Sequence, residues 1–138
     1  MLASGGVGLT PLMSMLETIA AQRPGLAAHW VHGTRDGATH AMGARARELA
    51  ARSGGRIEAT TFYERPRPED RRGQDYDEEG LIGVGWLERN TPMGEADYFL
   101  CGPKPFLRAL VGGLARAGVA ADRIHHEFFG PADELLAA

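Results

Sequence analysis

The sequence predicts an α/β fold: a three-layer, parallel five-stranded sheet in the order 3-2-1-4-5, with helices on both faces and a truncated first strand. Three observations carry that expectation. Apolar strand-like runs alternate with amphipathic helical stretches. Glycine or proline breaks separate them. A glycine turn, Gly5-Gly6-Val7-Gly8-Leu9-Thr10-Pro11, joins the first strand to the first helix. The 138 residues amount to about one domain, and right-handed crossovers between parallel strands fix the winding.

The elements follow in order. Leu2-Ala3-Ser4 is a short apolar strand of about four residues, against the usual five or six. It belongs at the centre of the sheet, where a shortened strand leaves neighbours unpaired and predicts marginal stability for the chain alone. Thr10 and Pro11 open the first helix, as a capping hydroxyl and a proline at the first helical position. That helix runs to about Gln22, because the residue before Pro24 avoids helical geometry, and Leu12, Met15, Leu16 and Ile19 share one of its faces. Ala27 to His32 reads as a buried second strand ending at Gly33, and Met42 to Arg52 as an alanine-rich second helix. Ile57 to Tyr63 is the third strand.

Residues 64–80 mix prolines and glycines with both charge signs, which predicts an exposed loop. Its basic residues Arg65, Arg67, Arg71 and Arg72 sit among Glu64, Glu69, Asp70 and Asp75, the pattern of a solvated loop or of a contact with a partner domain. A short helix near Val84 to Glu88 comes next. Ala96 to Leu100 forms the fourth strand, which closes at Cys101-Gly102-Pro103. Pro105 to Ala117 is helical with Gly118 as its cap, and Arg123 to Phe128 is the fifth strand, closing at Gly130-Pro131.

Composition narrows the function. Net charge is −3 from 18 acidic and 15 basic residues, so no broad basic field exists to recruit nucleic acid. No apolar run approaches the roughly 20 residues of a membrane span, and the first residues lack the pattern of a signal peptide. A soluble, cytoplasmic chain without membrane contact is expected. The single cysteine, Cys101, excludes an internal disulfide and agrees with a reducing compartment.

A strand, a tight glycine turn and a helix start aim several backbone N–H groups at one place, where the helix dipole also favours an anion. The turn is therefore a candidate pyrophosphate cradle. Glycines alone would also serve a plain sharp turn; the position and Thr10-Pro11 favour the phosphate reading. The spacing is Gly6-x-Gly8-x-x-Pro11, so proline replaces the third glycine of the common dehydrogenase fingerprint, and no lysine follows to make a P-loop. Where an acidic residue would hold the adenosine ribose, the chain offers His32-Gly33-Thr34-Arg35. Ligands of such sheets bind beyond the carboxyl ends of the strands, so the turns at Gly5, Gly33, Gly102 and Gly130 face one site. His125-His126-Glu127 is not read as a metal site, since adjacent strand residues point to opposite faces.

Five motifs in order, SGGVGLTPLMSML, HGTRDGATHA, DEEGLI, YFLCGPKPF and IHHEFFGP, span essentially the whole chain. Together they resemble the nucleotide-binding half of the ferredoxin–NADP reductase superfamily, and within it the C-terminal part of the flavohaemoglobins, the bacterial nitric oxide dioxygenases. The resemblance implies that Gly6, Val7, Gly8, Leu9, Thr10 and Pro11 hold the pyrophosphate of NAD(P)H and that Arg35 lies near the adenosine ribose. It implies that Cys101, Gly102 and Pro103 stand beside the nicotinamide, and that Phe128, Phe129, Gly130 and Pro131 cover the flavin, with Glu127 near its reacting edge. Cys101 and Glu127 are then the candidate catalytic residues, although a strand-end cysteine and an aromatic pair are also ordinary core features.

On this resemblance residues 1–138 are the NAD(P)-binding domain of a flavoreductase. FAD is shared with a domain outside the chain, haem is held only in a globin domain that is also outside it, and hydride passes from NAD(P)H to FAD before electrons reach haem. The FAD-binding and globin domains, or an equivalent separate chain, are the implied partners. Two other readings stand beside this one: the reductase component of another electron-transfer or oxygenase system, and a non-catalytic nucleotide-binding remnant. Arg35 suits either a ribose hydroxyl or a 2′-phosphate, which leaves NADH and NADPH both open.

Overall fold

Six parallel strands form one sheet in the computed structural model, which describes residues 1–5, 10–23, 25–40 and 43–128. In chain order they are β1 (Leu2–Gly5), β2 (Ala28–Thr34), β3 (Ile57–Tyr63), β4 (Glu78–Glu79), β5 (Tyr98–Gly102) and β6 (Ile124–Phe128). Across the sheet the order is β4-β3-β2-β1-β5-β6. The five expected strands keep their expected order; the correction is a sixth, β4, added outside β3. Its two glutamates carry no strand pattern of their own. They pair with Phe62 and Tyr63 because Asp77 just before them clamps Thr61, whose amide donates to the Asp77 carboxylate at 2.9 Å and whose carbonyl accepts from the Asp77 amide at 2.9 Å.

Two boundaries also move. β2 continues through Gly33 to Thr34, because Gly33 has strand neighbours on both sides, Gly5 and Phe62. β5 begins at Tyr98 and takes in Cys101 and Gly102.

Helices α1 (Thr10–Gln22) and α2 (Gly43–Ala51) cover one face, while α3 (Val84–Asn90) and α4 (Lys104–Arg116) serve the other. Period-two alternation sorts the strands between two cores. Leu2, Trp30, Ile57 and Cys101 meet Leu12 and Leu16 of α1 and Ala46 and Leu49 of α2. Ala3, Val31, Phe62 and Leu100 meet Leu87 of α3 and Leu107, Leu110 and Leu114 of α4. Both faces being covered, β1 is buried at all four residues, as parallel strands generally are. Each large side chain so buried contributes roughly 1.5–3 kcal/mol. After α4, Gly118 takes φ +97°, a left-handed cap conformation that a Cβ would penalise.

Residues 64–80 are not the loose loop expected. Tyr76 is buried and stacks on Tyr63, ring centroids 4.8 Å apart and planes 21° apart. The Asp70 carboxylate accepts the amides of Arg67 at 2.8 Å and Gly37 at 3.2 Å and pairs with the Arg67 guanidinium at 3.0 Å. Asp75 caps the amide of Arg71 at 2.8 Å. Arg65, Arg71 and Arg72 are exposed, so only part of the basic cluster is a solvated surface. Carboxylates here take over the backbone donors that regular structure would otherwise satisfy.

Candidate functional site

Register carries one row of side chains across the sheet: Thr61, His32, Ser4, Cys101 and Glu127, from β3, β2, β1, β5 and β6. The two candidate catalytic residues, Cys101 and Glu127, are thus direct partners on adjacent strands. Cys101 is buried, and burial first, then the neighbouring Glu127 charge, raise its thiol pKa above the ordinary value. It is held as a neutral thiol rather than a nucleophilic thiolate.

One residue further along lies a rim of glycines, Gly33, Gly5 and Gly102, at the carboxyl ends of β2, β1 and β5. The Phe106 ring of α4 fills the space that Gly5 and Gly102 leave, and Ile82 that beside Gly33. A Cβ on Gly5 would stand 2.8 Å from its Cδ2, and one on Gly102 only 2.7 Å from its Cδ1. Glycine at both positions lets this ring pack directly on the strand-end backbone. Pro103 is extended at φ −71°, ψ 165° and immediately precedes α4. Phe128 pairs with Gly102 and is half-buried against the α3–α4 core, so its side chain is at least in part a packing residue. Gly6, Val7, Gly8, Leu9, Phe129, Gly130 and Pro131 lie outside the described residues. Thr10 begins α1 and Pro11 follows it in the first turn.

Arg35 lies just past β2 with its side chain 65% exposed and makes a loose ion pair, 3.6 Å, to Asp36. Sequence reasoning passed over Asp36, the acidic residue nearest this strand end. Its carboxylate accepts the Ala38 amide at 2.9 Å, so it is engaged in closing its own turn. Beyond the ends of β2 and β3 opens a cleft of about 420 Å³ whose walls include Gly37, His40, Gly43, Arg47, Tyr63 and Asp70.

A second polar cluster was also missed. The Ser4 hydroxyl bonds His32 Nδ1 at 2.7 Å, His32 stacks on His40 at 5.7 Å, and His40 Nδ1 bonds the Tyr63 hydroxyl at 2.8 Å. Ser4 and His32 are fully buried. Burial, then the neighbouring His40, push the His32 pKa down to about 4, and burial, then Arg47, lower that of His40. Both rings are neutral near pH 7. The nearest sequence signal was two histidines flanking one turn, His32 and His40 in HGTRDGATH, which periodicity does not join.

The oxidoreductase NAD-binding domain family matches residues 1–111. Among curated proteins, a flavohemoprotein of Xylella fastidiosa is 50% identical over 137 residues, 99% of this chain and 33% of its own length. A flavohemoprotein of Bordetella pertussis is 44% identical over 94% of this chain. The chain therefore spans about a third of the length of the curated relatives it matches. Among solved structures, the FAD/NAD-binding domain of nitric oxide dioxygenase from Vibrio cholerae superposes with a TM-score of 0.79 at 28% identity, covering 94% of this chain and 50% of that one. The flavohemoglobin of Malassezia yamatoensis, solved with bound FAD and heme, gives 0.75 at 26% identity, covering 94% of this chain and 31% of that one. The chain belongs to the oxidoreductase NAD-binding domain family, and the relatives it resembles along its whole length are flavohemoproteins.

Proposed function

We propose that this chain is the NAD(P)H-binding domain of a flavohaemoglobin, which delivers hydride from the nicotinamide to FAD held with a neighbouring domain, and through it electrons to haem for nitric oxide dioxygenation. The observation that carries this reading is the adjacency of Cys101 and Glu127 beside β1, the strand that leads into the glycine turn, in a chain half identical to a flavohemoprotein.

The residues fit a dinucleotide laid across the strand ends. Gly6, Val7, Gly8, Leu9, Thr10 and Pro11 would hold the pyrophosphate, the first of these following the bare Gly5. The adenosine end would turn toward β2 and β3, where the exposed Arg35 and the cleft beside Tyr63 stand. The other end would reach Cys101, Gly102 and Pro103, where Phe106 packs against the glycine backbone. Phe128, Phe129, Gly130 and Pro131 would close the flavin side. Glu127, exposed on edge strand β6, would stand nearest the reacting edge.

The bound cofactors supply the redox chemistry. This chain's side chains bind and orient: the buried, neutral Cys101 thiol would add a small polarisable group beneath the site without adding charge, and no residue need take a proton. Effective alignment of two reacting rings is itself worth several kcal/mol of barrier. The test joins this chain to the FAD-binding and globin parts of the Xylella fastidiosa flavohemoprotein and measures NADH- and NADPH-dependent consumption of nitric oxide. Turnover is expected, with a Cys101→Ala variant slowing flavin reduction at least tenfold while coenzyme binding is little changed. A chimera that binds flavin and haem but is not reduced by either coenzyme would sink the reading.

A further inference from the structure

Buried imidazoles without full partners are the least explained feature of the molecule. His32 and His40 are stacked face to face, centroids 5.7 Å apart and planes 25° apart. Each uses Nδ1 in one hydrogen bond, to Ser4 of β1 and to Tyr63 of β3 respectively. Each has a buried Nε2 with no partner among the described residues. The His40 ring is seated on Gly43, where a Cβ would lie 2.4 Å from it, and is one of the groups that fasten its turn to the sheet. Thr34 and Thr39 add a hydroxyl bond of 2.8 Å within the turn, and Asp70 reaches the Gly37 amide.

We infer that His32 and His40 form a proton-sensitive latch: stacked and uncharged, they hold the turn of residues 36–40, which with Tyr63 of β3 lines the cleft, against the sheet, and proton uptake releases it. A protonated imidazole donates from both nitrogens, and neither Nε2 has an acceptor among the described residues. A charge on one ring also lies against the other ring, with both Nε2 atoms buried. Charged and titratable groups facing the pair come from each neighbouring element. Arg47 of α2 opposes a proton on His40, Asp75 of the 64–80 segment favours one, Tyr63 of β3 and Ser4 of β1 supply the two hydroxyls, and Cys101 of β5 is the partner of Ser4. At His40 burial acts first and Arg47 outweighs Asp75, so burial and like charge together oppose the proton. Protonation of either ring therefore weakens the hold on both.

Trp30 gives the latch its own signal, because its ring centroid lies 6.4 Å from that of His32 and a nearby imidazolium quenches indole emission. The experiment uses the full chain carrying Trp86→Phe, so that Trp30 is the sole tryptophan. Emission and far-UV circular dichroism are followed together from pH 7.5 to 3.5. Trp30 emission is expected to change reversibly as the pH falls toward 4, with proton uptake by the two rings, while the circular dichroism stays folded. His40→Gln and His32→Asn should each reduce the uptake to about one proton and broaden the transition; if one of them does not fold, the other is read. Emission that stays flat until the circular dichroism collapses, a change that coincides with that collapse, or variants that titrate as the parent does would each overturn the latch.

Discussion

A methyl group placed on Gly102 would stand 2.7 Å from Cδ1 of Phe106, closer than carbon atoms approach, with the Gly5 carbonyl oxygen at 3.2 Å on another side. The ring cannot retreat freely, because Phe106 packs on the core beneath α4. Gly102→Ala is therefore expected to cost about 1–3 kcal/mol by overpacking, although the backbone there needs no left-handed conformation. Phe106→Leu, which removes the obstructing edge, should recover part of that loss, giving a non-additive double-mutant cycle. Urea unfolding of the four proteins measures it; additive losses would show that the two side chains do not share the space.

Tyr76 carries a different claim, that residues 64–80 belong to the folded core. Its ring is buried and stacked on Tyr63, the residue that also bonds His40. Tyr76→Ala should destabilise the chain by about 3 kcal/mol, in the range for losing a buried aromatic ring, while Tyr76→Phe should be nearly neutral. Limited proteolysis offers a second reading, with new cleavage between residues 64 and 80 in the alanine variant. A segment cut equally fast in the parent would refute the packing.

Why this segment escaped sequence reasoning is physical. Strands β2 and β5 announce themselves because largely apolar residues facing two covered sides form runs that glycine or proline ends, while β3 and the edge strand β6 show only strand-forming residues between such breaks. The 64–80 segment has no such run. It is ordered by Asp70, Asp75 and Asp77 accepting backbone amides, bonds that look in sequence like the charge mixture of a solvated loop. β4 follows from the same cause, two glutamates carried into register by Asp77. The site divides along the same line. Cys101 and Glu127 were legible through motifs, and their adjacency came only with the β5–β6 register. Ser4, His32, His40 and Tyr63 come together across 28 and 23 residues of chain, so no local period could join them.

The buried histidines also set how stability depends on pH. Burial, reinforced by His40, brings the His32 pKa from 6.5 down to about 4, so between those values the unfolded chain binds a proton that the folded chain refuses. Stability is therefore complete above about pH 6.5 and falls as the pH drops toward 4, by about 3 kcal/mol for His32 at 1.36 kcal/mol per pKa unit. His40 is shifted in the same direction and steepens the fall. Asp70 does not confuse this window. Its pKa is lowered to about 2, first by the hydrogen bond from Arg67, so its contribution is present above about pH 4 and is lost only as the pH falls toward 2. Urea midpoints taken at half-unit steps from pH 7.5 to 4.5 should decline below 6.5, and His32→Asn should flatten that decline. A midpoint constant across the range would mean that both rings accept protons in the folded state, and would remove the electrostatic basis for holding the turn of residues 36–40 by uncharged imidazoles.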